Sequence, residues 1–117
     1  MERIQILHNP RCSKSRQTLQ LLEDKGYSVE VTEYLKTPLN QAQLAELYTQ
    51  LGLDTVLDMM RPKEAEFKQA GLDKTTITKE QAFAAIVDYP KLLERPVVIF
   101  NNQARIGRPP EAVLEIL

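Results

Sequence analysis

The first third of the chain has the pattern strand, helix, strand, and this order restricts the possible folds more than any other feature of the sequence. Polar and apolar side chains alternate over residues 3–7 and again over residues 28–34, as they do in β-strands. Between them, residues 13–25 have helical periodicity, and Gly26 follows as a stop signal. Because such a helix is too long to be a hairpin turn, we expect a parallel strand pair with a right-handed crossover.

The middle of the chain predicts helices. Thr37 followed by Pro38 is typical of a helix start, with proline at the first helical position. Apolar residues then recur at helical spacing until Gly52 ends the run: Leu44, Leu47, Tyr48 and Leu51. A turn over residues 55–60 and a short helix over residues 63–69 are expected next.

One more helix is expected before the chain returns to strands. Thr78 is a candidate N-cap, and the residues after it form an apolar stripe at helical spacing: Phe83, Ile86 and Val87.

The end of the chain predicts a β-hairpin and a final helix. Residues 96–100 have the composition of a buried strand, Asn101-Asn102 is a turn signal, and residues 103–106 are a second strand. A terminal helix over residues 111–117 is expected after the prolines that end the sheet.

The order of these elements predicts an α/β fold. It implies a mixed four-stranded sheet with helices on both faces and a helical insertion in the middle, an order that resembles thioredoxin-like folds. With 117 residues and no linker or repeat, the chain is expected to be a single domain over residues 1–117.

Composition excludes several classes of function. A net charge of −1 argues against broad electrostatic capture of nucleic acid or of an anionic membrane surface. The apolar runs are much shorter than the ~20 residues of a membrane helix, so no membrane association is expected. Met1-Glu2-Arg3 leads directly into the first strand, which predicts no signal peptide and a cytoplasmic location.

The chain has one cysteine and one histidine. One cysteine excludes a disulfide scaffold and a thiolate cluster within one chain, and one histidine argues against a His-rich metal site, so no metal is expected. A single thiol without an export signal also fits the reducing cytoplasm.

The setting of Cys12 distinguishes it from an ordinary packing cysteine. A buried thiol usually has apolar neighbours, whereas Cys12 lies in a polar, basic loop between a strand and a helix, close to Arg11, Lys14 and Arg16. The first turn of a helix offers unpaired N–H groups and the positive end of the dipole, and both stabilise a thiolate. The same groups could hold an anionic substrate, so we interpret Cys12 as a nucleophile.

The lone thiol restricts the mechanism. Once Cys12 is oxidised or forms an adduct, the thiol that resolves it must come from outside the chain, as glutathione, glutaredoxin or another protein. His8 could favour the thiolate as an imidazolium, or it could be an ordinary histidine at a strand end. Ser15 could likewise contribute to the site or be an ordinary helix residue.

Three segments carry a resemblance to a known family. Residues 8–16, with the sequence His-Asn-Pro-Arg-Cys-Ser-Lys-Ser-Arg, resemble the active-site loop of glutaredoxin-coupled arsenate reductases (ArsC type). Residues 94–98 and 106–111 resemble that family's two Arg-Pro elements, before the third strand and the last helix. Arg61, followed by Pro62-Lys63, resembles the arginine in the family's middle helical region.

The resemblance implies a fold, a site and a reaction. It implies a thioredoxin-like fold in which Cys12 attacks arsenate while arginines hold the oxyanion: Arg61, Arg95 and Arg108. His8 and Ser15 are the candidate catalytic residues beside Cys12. No bound cofactor is implied. Glutathione would add to the arsenic adduct as co-substrate, and glutaredoxin would reduce it as the protein partner. By analogy with the loop proline of thioredoxin-like proteins, Arg95-Pro96 is a candidate cis bond beside Cys12.

Three alternatives stay open at the level of sequence. A relative of this fold that binds RNA polymerase as a transcription regulator would carry a Cys-x-x-Cys switch, but here the second position is Ser15. A one-cysteine enzyme that reduces glutathione mixed disulfides is compatible with Cys12-x-x-Ser15. A third alternative is an ArsC-like protein with little arsenate activity, since Arg11-Cys12-Ser13-Lys14 is more basic than the Ala-Cys-Gly-Thr associated with dedicated reductases.

Overall fold

The computed structural model describes residues 3–117, and the chain divides into two compact units. The first combines the chain up to Thr37 with Arg95–Leu117, and the second is Pro38–Glu94. The expectation that no signal peptide precedes the first strand depends on Met1 and Glu2, which lie outside the described residues. The prediction of one domain over residues 1–117 stays a prediction.

The first unit contains the predicted mixed sheet. Its elements are β1 (Ile4–Leu7), α1 (Ser13–Asp24), β2 (Val29–Thr32), β3 (Val97–Phe100), β4 (Gln103–Ile106) and a 3₁₀ helix (Pro110–Ile116). The strand order is β2-β1-β3-β4. β1 and β2 pair in parallel, and the other two pairs are antiparallel. The predicted parallel pair and the predicted hairpin are therefore both confirmed.

Alternating apolar side chains of the central strands form the core of this unit. Ile6 of β1 lies opposite Val98 of β3, and both are fully buried. Leu22 of α1 packs on this layer with Val113 and Ile116 from the 3₁₀ helix. The buried layer anchors α1 and the end of the chain on the sheet.

The hairpin turn and the terminal helix both exist as the sequence predicts, with one difference in the helix. Asn101 and Asn102 both have positive φ, at 52° and 62°, as a tight two-residue hairpin turn requires. The terminal helix exists, but it is a 3₁₀ helix over Pro110–Ile116. It starts one residue earlier than predicted, because proline suits the first helical position.

The second unit is helical. It contains α2 (Gln41–Leu51), a 3₁₀ helix (Val56–Met59), α3 (Ala65–Gln69), α4 (Lys79–Asp88) and a short 3₁₀ helix (Pro90–Leu92). The apolar stripes predicted for α2 and α4 supply Leu44, Leu47, Phe83 and Ile86 to its buried side chains. No helix among residues 3–117 combines the length and apolar character needed to cross a membrane.

The predicted N-cap of α2 is wrong, whereas that of α4 is right. The helix begins after Asn40 and not after Thr37, because Asn40 and Gln43 form a reciprocal capping box. The Gln43 N–H donates to Asn40 Oδ1 at 2.8 Å, and the Asn40 N–H donates to Gln43 Oε1 at 2.9 Å. These bonds satisfy two backbone donors at the first turn of the helix. Thr78 forms the same kind of box at α4.

Candidate active site

Cys12 occupies the N-cap position of α1, with extended backbone angles of φ −91° and ψ 125°. The His8 N–H donates to Thr32 O at 2.8 Å and so continues the parallel ladder past the end of β1. The Cys12 N–H then donates to Asn9 O at 3.0 Å, and this hydrogen bond closes a turn. Sheet pairing and turn together place the thiol at the first turn of the helix, as the sequence predicted.

The surroundings of the thiol favour its ionised form. Burial by itself raises the pKa of the Cys12 thiol, but hydrogen bonds to the sulfur more than offset this effect. The donors are the backbone N–H of Ser15, the guanidinium of Arg95 and the backbone N–H of Lys14, and the charge of Arg95 adds to them. The pKa of Cys12 is therefore lowered, which raises the fraction of nucleophilic thiolate at neutral pH.

Arg108 is the second arginine at the sulfur. Its Nη2 lies 3.7 Å from Cys12 Sγ, and its Nε donates to the Arg95 carbonyl at 2.8 Å. That bond links the loops before β3 and after β4, so the two arginines form one cationic surface at Cys12. Both the Arg95-Pro96 and the Arg108-Pro109 peptide bonds are cis, the first as considered from the sequence and the second without a sequence prediction.

Gly107 determines how closely the loop of Arg108 can approach α1. A Cβ atom at Gly107 would lie 2.6 Å from Thr18 Oγ1 and 2.8 Å from Pro96 Cγ, which is closer than real contacts allow. The Gly107 N–H also donates to Pro96 O at 2.8 Å. The absence of a side chain at Gly107 thus permits the approach that brings Arg108 to the sulfur.

A buried polar network supports the loop from below. Ser15 Oγ is hydrogen-bonded to His8 Nδ1 at 2.8 Å and accepts the Asn9 N–H at 3.0 Å. Ser15 is fully buried, and His8 and Asn9 nearly so. Since the Ser15 N–H is one of the donors to Cys12 Sγ, this network fixes a group that stabilises the thiolate.

The protonation of His8 differs from the sequence hypothesis. Burial lowers the pKa of His8, the charge of Arg16 lowers it further, and Glu33 only partly opposes them. The neutral imidazole therefore predominates at neutral pH, which contradicts the idea that an imidazolium favours the thiolate. His8 is hydrogen-bonded to Ser15 Oγ, and a role for His8 in the reaction stays a prediction.

The three basic residues of the loop act differently from one another. Lys14 contributes its backbone N–H to the sulfur. The Arg16 guanidinium donates to Pro10 O at 3.1 Å and braces the loop, and Arg11 is exposed. The positive charge that lowers the pKa of Cys12 comes from Arg95, which is distant in sequence.

Arg61 belongs to the second unit, where two carboxylates hold it. Its Nη1 lies 2.7 Å from Glu94 Oε1, and its Nε lies 3.2 Å from Glu64 Oε1. Burial lowers the pKa of Arg61, but hydrogen bonds and charges from Glu64 and Glu94 outweigh it, so the pKa is raised. Its role as an oxyanion ligand stays a prediction.

The first unit therefore brings together five of the six predicted site residues: His8, Cys12, Ser15, Arg95 and Arg108. Sequence reasoning assigned no role to Asn9 or Gly107. The signal for Gly107 was its position directly before Arg108-Pro109, where a glycine indicates close backbone approach. No three His, Cys, Asp or Glu side chains within residues 3–117 lie close enough together to hold a metal ion.

Comparison with known proteins identifies similar chains. Residues 7–116 match the model of the ArsC family. A protein of Escherichia coli (strain K12), named "Uncharacterized protein YfgD", is 48% identical over 116 residues, which cover 99% of this chain and 98% of that protein. An arsenate reductase of Neisseria meningitidis is 44% identical over 117 residues, 100% of both chains.

A solved structure agrees with this comparison. The arsenate reductase from Vibrio cholerae superposes with a TM-score of 0.95 at 50% sequence identity, over 99% of this chain and 98% of that one. This likeness confirms the thioredoxin-like α/β fold predicted from the order of strands and helices.

Proposed function

Since this chain belongs to the ArsC family, we propose that it reduces arsenate to arsenite by nucleophilic attack of the Cys12 thiolate on the oxyanion. The observation that carries this proposal is the position of Arg108, whose Nη2 lies 3.7 Å from Cys12 Sγ. An arginine at that distance can hold an anion against the attacking sulfur. The lowered pKa of Cys12 supports the same reading, because attack requires a thiolate.

The binding groups suit a tetrahedral oxyanion. Arginine stays charged at any physiological pH and donates in pairs, so Arg95 and Arg108 can each pair with arsenate oxygens. The first-turn N–H groups of α1 add donors for the negative charge that accumulates during attack. Arg61 is the third arginine that the family resemblance implies for the oxyanion.

The first chemical step joins Cys12 to arsenic. The Cys12 thiolate displaces one arsenic-bound oxygen, which takes up protons and leaves as water, and an S–As bond forms. Arsenic is still As(V) at this stage, so no electrons have been transferred. Ser15 and His8 keep the Ser15 N–H directed at the sulfur.

Two external thiols complete the proposed reaction. Glutathione displaces a second arsenic-bound oxygen as water and forms a second S–As bond. A glutaredoxin thiolate then attacks the glutathione sulfur, and the electron pair of that S–As bond passes to arsenic, which becomes As(III). Glutaredoxin leaves as a mixed disulfide with glutathione, and water displaces Cys12 to release arsenite. External thiols are needed because Cys12 is the only cysteine. The reducing cytoplasm is the proposed location, since it supplies such thiols.

The first test is whether arsenate occupies the site. Arsenate should slow the alkylation of Cys12 by iodoacetamide in a saturable manner, because it covers the sulfur. Arg108→Ala should raise the arsenate concentration that gives half-protection by roughly 10- to 100-fold, the effect of losing a charge-assisted bond. Arg105→Ala is the matched control, since Arg105 lies on β4 and pairs with Glu115. Equal protection in all three proteins would contradict an oxyanion site at Arg108.

The second test separates reduction from thiol exchange. Arsenite should form with glutathione plus glutaredoxin, and omission of either should lower the rate strongly. Absence of arsenite, together with normal exchange of Cys12 with glutathione disulfide, would replace the proposal by a one-cysteine thiol–disulfide activity.

A further inference from the structure

A pocket lies beside α3, within the helical unit. Its volume is about 720 Å³, inside the range of roughly 300–1,000 Å³ that ligand sites occupy. Three stretches of the chain line it: residues 62–65 at the start of the helix, Phe67 and Lys68 within the helix, and residues 72–74 after it. We call this feature the α3 pocket.

The chain reverses direction at the end of α3 and so brings residues 72–74 back beside the helix. Gly71 has a left-handed φ of 73°, and its N–H donates to Lys68 O at 2.9 Å. The Leu72 N–H donates to Phe67 O at 3.3 Å. These two bonds form a Schellman motif, which ends the helix in a defined geometry. Because Phe67 and Leu72 both line the pocket, the motif fixes one of its walls.

The two carboxylates of the α3 pocket already have partners. Glu64 Oε1 pairs with Arg61 Nε at 3.2 Å. Asp73 Oδ1 accepts the Thr75 hydroxyl at 2.7 Å and the Thr75 N–H at 2.8 Å, and these hydrogen bonds hold the pKa of Asp73 below its usual value. Neither carboxylate therefore neutralises a lysine of the pocket by direct pairing.

The lysines of the α3 pocket are exposed and have no acidic partner. Among residues 3–117, none of the three forms an ion pair. Since Arg61 balances the charge of Glu64, the three lysines face only the charge of Asp73. The pocket is therefore locally positive, although the chain as a whole has a net charge of −1. The three lysines are Lys63, Lys68 and Lys74.

Apolar side chains alternate with these lysines along the lining, and this pattern restricts the ligand. They are Pro62, Ala65, Phe67 and Leu72. A matching ligand has several separated anionic groups with an apolar part between them, as an acidic peptide segment does. A single phosphate matches less well, because no arginine lines the pocket to donate paired hydrogen bonds.

We propose that the α3 pocket docks an acidic, extended segment of a protein partner. The lysines pair with carboxylates of the segment, and Phe67 and Leu72 contact an apolar side chain between them. Electrostatic complementarity of this kind speeds association and discriminates against partners of the wrong charge. The proposal is independent of arsenate reduction, since no residue of the pocket has a part in the reaction proposed above.

The test uses the full chain and a defined peptide. The probe is Glu-Glu-Asp-Leu-Asp-Glu-Glu with blocked ends, and its binding is followed by amide chemical shifts of ¹⁵N-labelled protein. We expect saturable shifts at Lys68, Leu72 and Lys74. Binding should weaken several-fold as salt rises from about 20 mM to about 200 mM, because salt screens exposed charges. No saturable shift at millimolar peptide, or shifts that avoid these residues, would overturn the proposal.

Two changes to the probe separate charge from apolar contact. The neutral peptide Gln-Gln-Asn-Leu-Asn-Gln-Gln should give no saturable shifts at the α3 pocket. Glycine in place of the central leucine should weaken binding by about three- to tenfold, because the apolar contact is lost. Equal binding of the neutral peptide would contradict recognition by charge. Inorganic phosphate that bound the same residues as tightly as the acidic peptide would replace the protein partner by a free anion.

Charge reversals in the chain test the pairing itself. Lys68→Glu and Lys74→Glu should each weaken binding of the acidic peptide by about three- to tenfold, because each replaces attraction by repulsion at an exposed position. Lys25→Glu is the matched control, since Lys25 is also exposed and does not line the pocket. Equal weakening by the control would reduce the effect to net charge and overturn the assignment.

Discussion

At Cys12, burial and hydrogen bonding act on the thiol in opposite directions. Burial by itself raises the pKa, and the Ser15 N–H, Arg95 and the Lys14 N–H reverse that effect. The residues nearest in sequence thus contribute backbone donors, while the charge comes from a loop more than 80 positions away (95 − 12 = 83). Sequence reasoning found the loop and predicted Cys12 as the nucleophile. It could not rank the cations around the thiol, because their distances from the sulfur depend on the fold.

Arg95→Ala should raise the pKa of Cys12, since the variant loses both a hydrogen bond and a positive charge at the sulfur. The pH dependence of iodoacetamide alkylation measures this pKa. We expect the midpoint of the variant to move to higher pH, and that of Arg105→Ala to match the wild type. If Arg95→Ala left the pH dependence of alkylation unchanged, Arg95 would have only a structural role.

His8 should make the folded chain less stable as the solution becomes mildly acidic. Because burial lowers its pKa in the folded state, the unfolded chain binds a proton that the folded chain does not, just below the ordinary value of about 6.5. The free energy of unfolding should therefore fall as pH drops through this window and be constant just above it. His8 is the only histidine, so urea unfolding of His8→Gln isolates its contribution.

The wild type should lose more stability than His8→Gln between about pH 7.5 and about pH 5.5, around the ordinary histidine pKa. The opposite order would mean that the folded state favours the imidazolium, as the sequence hypothesis supposed.

The end of β4 is the element on which the position of Arg108 depends. Gly107→Ala should push that segment away from Thr18 and Pro96, because the added Cβ has no room. We expect a loss of roughly 1–3 kcal/mol in stability, typical of overpacking, together with weaker arsenate protection of Cys12.

Thr18→Ala in the Gly107→Ala background should restore part of both losses, since it removes the Oγ1 atom that the new Cβ would meet at 2.6 Å. A Gly107→Ala variant with wild-type stability and wild-type protection would show that the close approach has no part in placing Arg108.

The start of α2 gives a direct comparison between two candidate caps. Asn40→Ala should lower the free energy of unfolding by about 0.5–2 kcal/mol, because Asn40 caps the Gln43 N–H. Thr37→Ala should change it by less than about 0.5 kcal/mol, as surface substitutions usually do. If Thr37→Ala lowered the free energy of unfolding more than Asn40→Ala in urea unfolding, Thr37 would be the cap, as the sequence predicted.

The two caps also show that local sequence signals do not always identify the residue at which a helix begins. Thr37-Pro38 and Asn40 are both acceptable helix starts, and the choice depends on Gln43 three residues after Asn40. At α4, Thr78 and Gln81 form the same motif without a competing proline, and the prediction was right. The periodicity of apolar residues was enough to predict that the strands and helices exist. The start of α2 depended instead on the reciprocal hydrogen bonds between Asn40 and Gln43.

For the whole molecule, the order of elements was enough to predict the mixed sheet. The parallel β1–β2 pair requires a crossover, the Asn101-Asn102 turn requires a hairpin, and only the order β2-β1-β3-β4 had to come from the structure. The division into two compact units was not visible in composition, because no linker or glycine-rich segment marks Thr37 or Arg95.

The central claim is that Cys12 is the nucleophile of an arsenate-reducing reaction, and arsenite formation by wild type and Cys12→Ser tests it most directly. Both proteins are supplied with arsenate, glutathione and glutaredoxin, and arsenite is quantified over time. Because the hydroxyl of serine is far less acidic than the thiol, the variant should form no arsenite above the rate without protein, while the wild type turns over. Arsenite formation that survives Cys12→Ser would contradict the account.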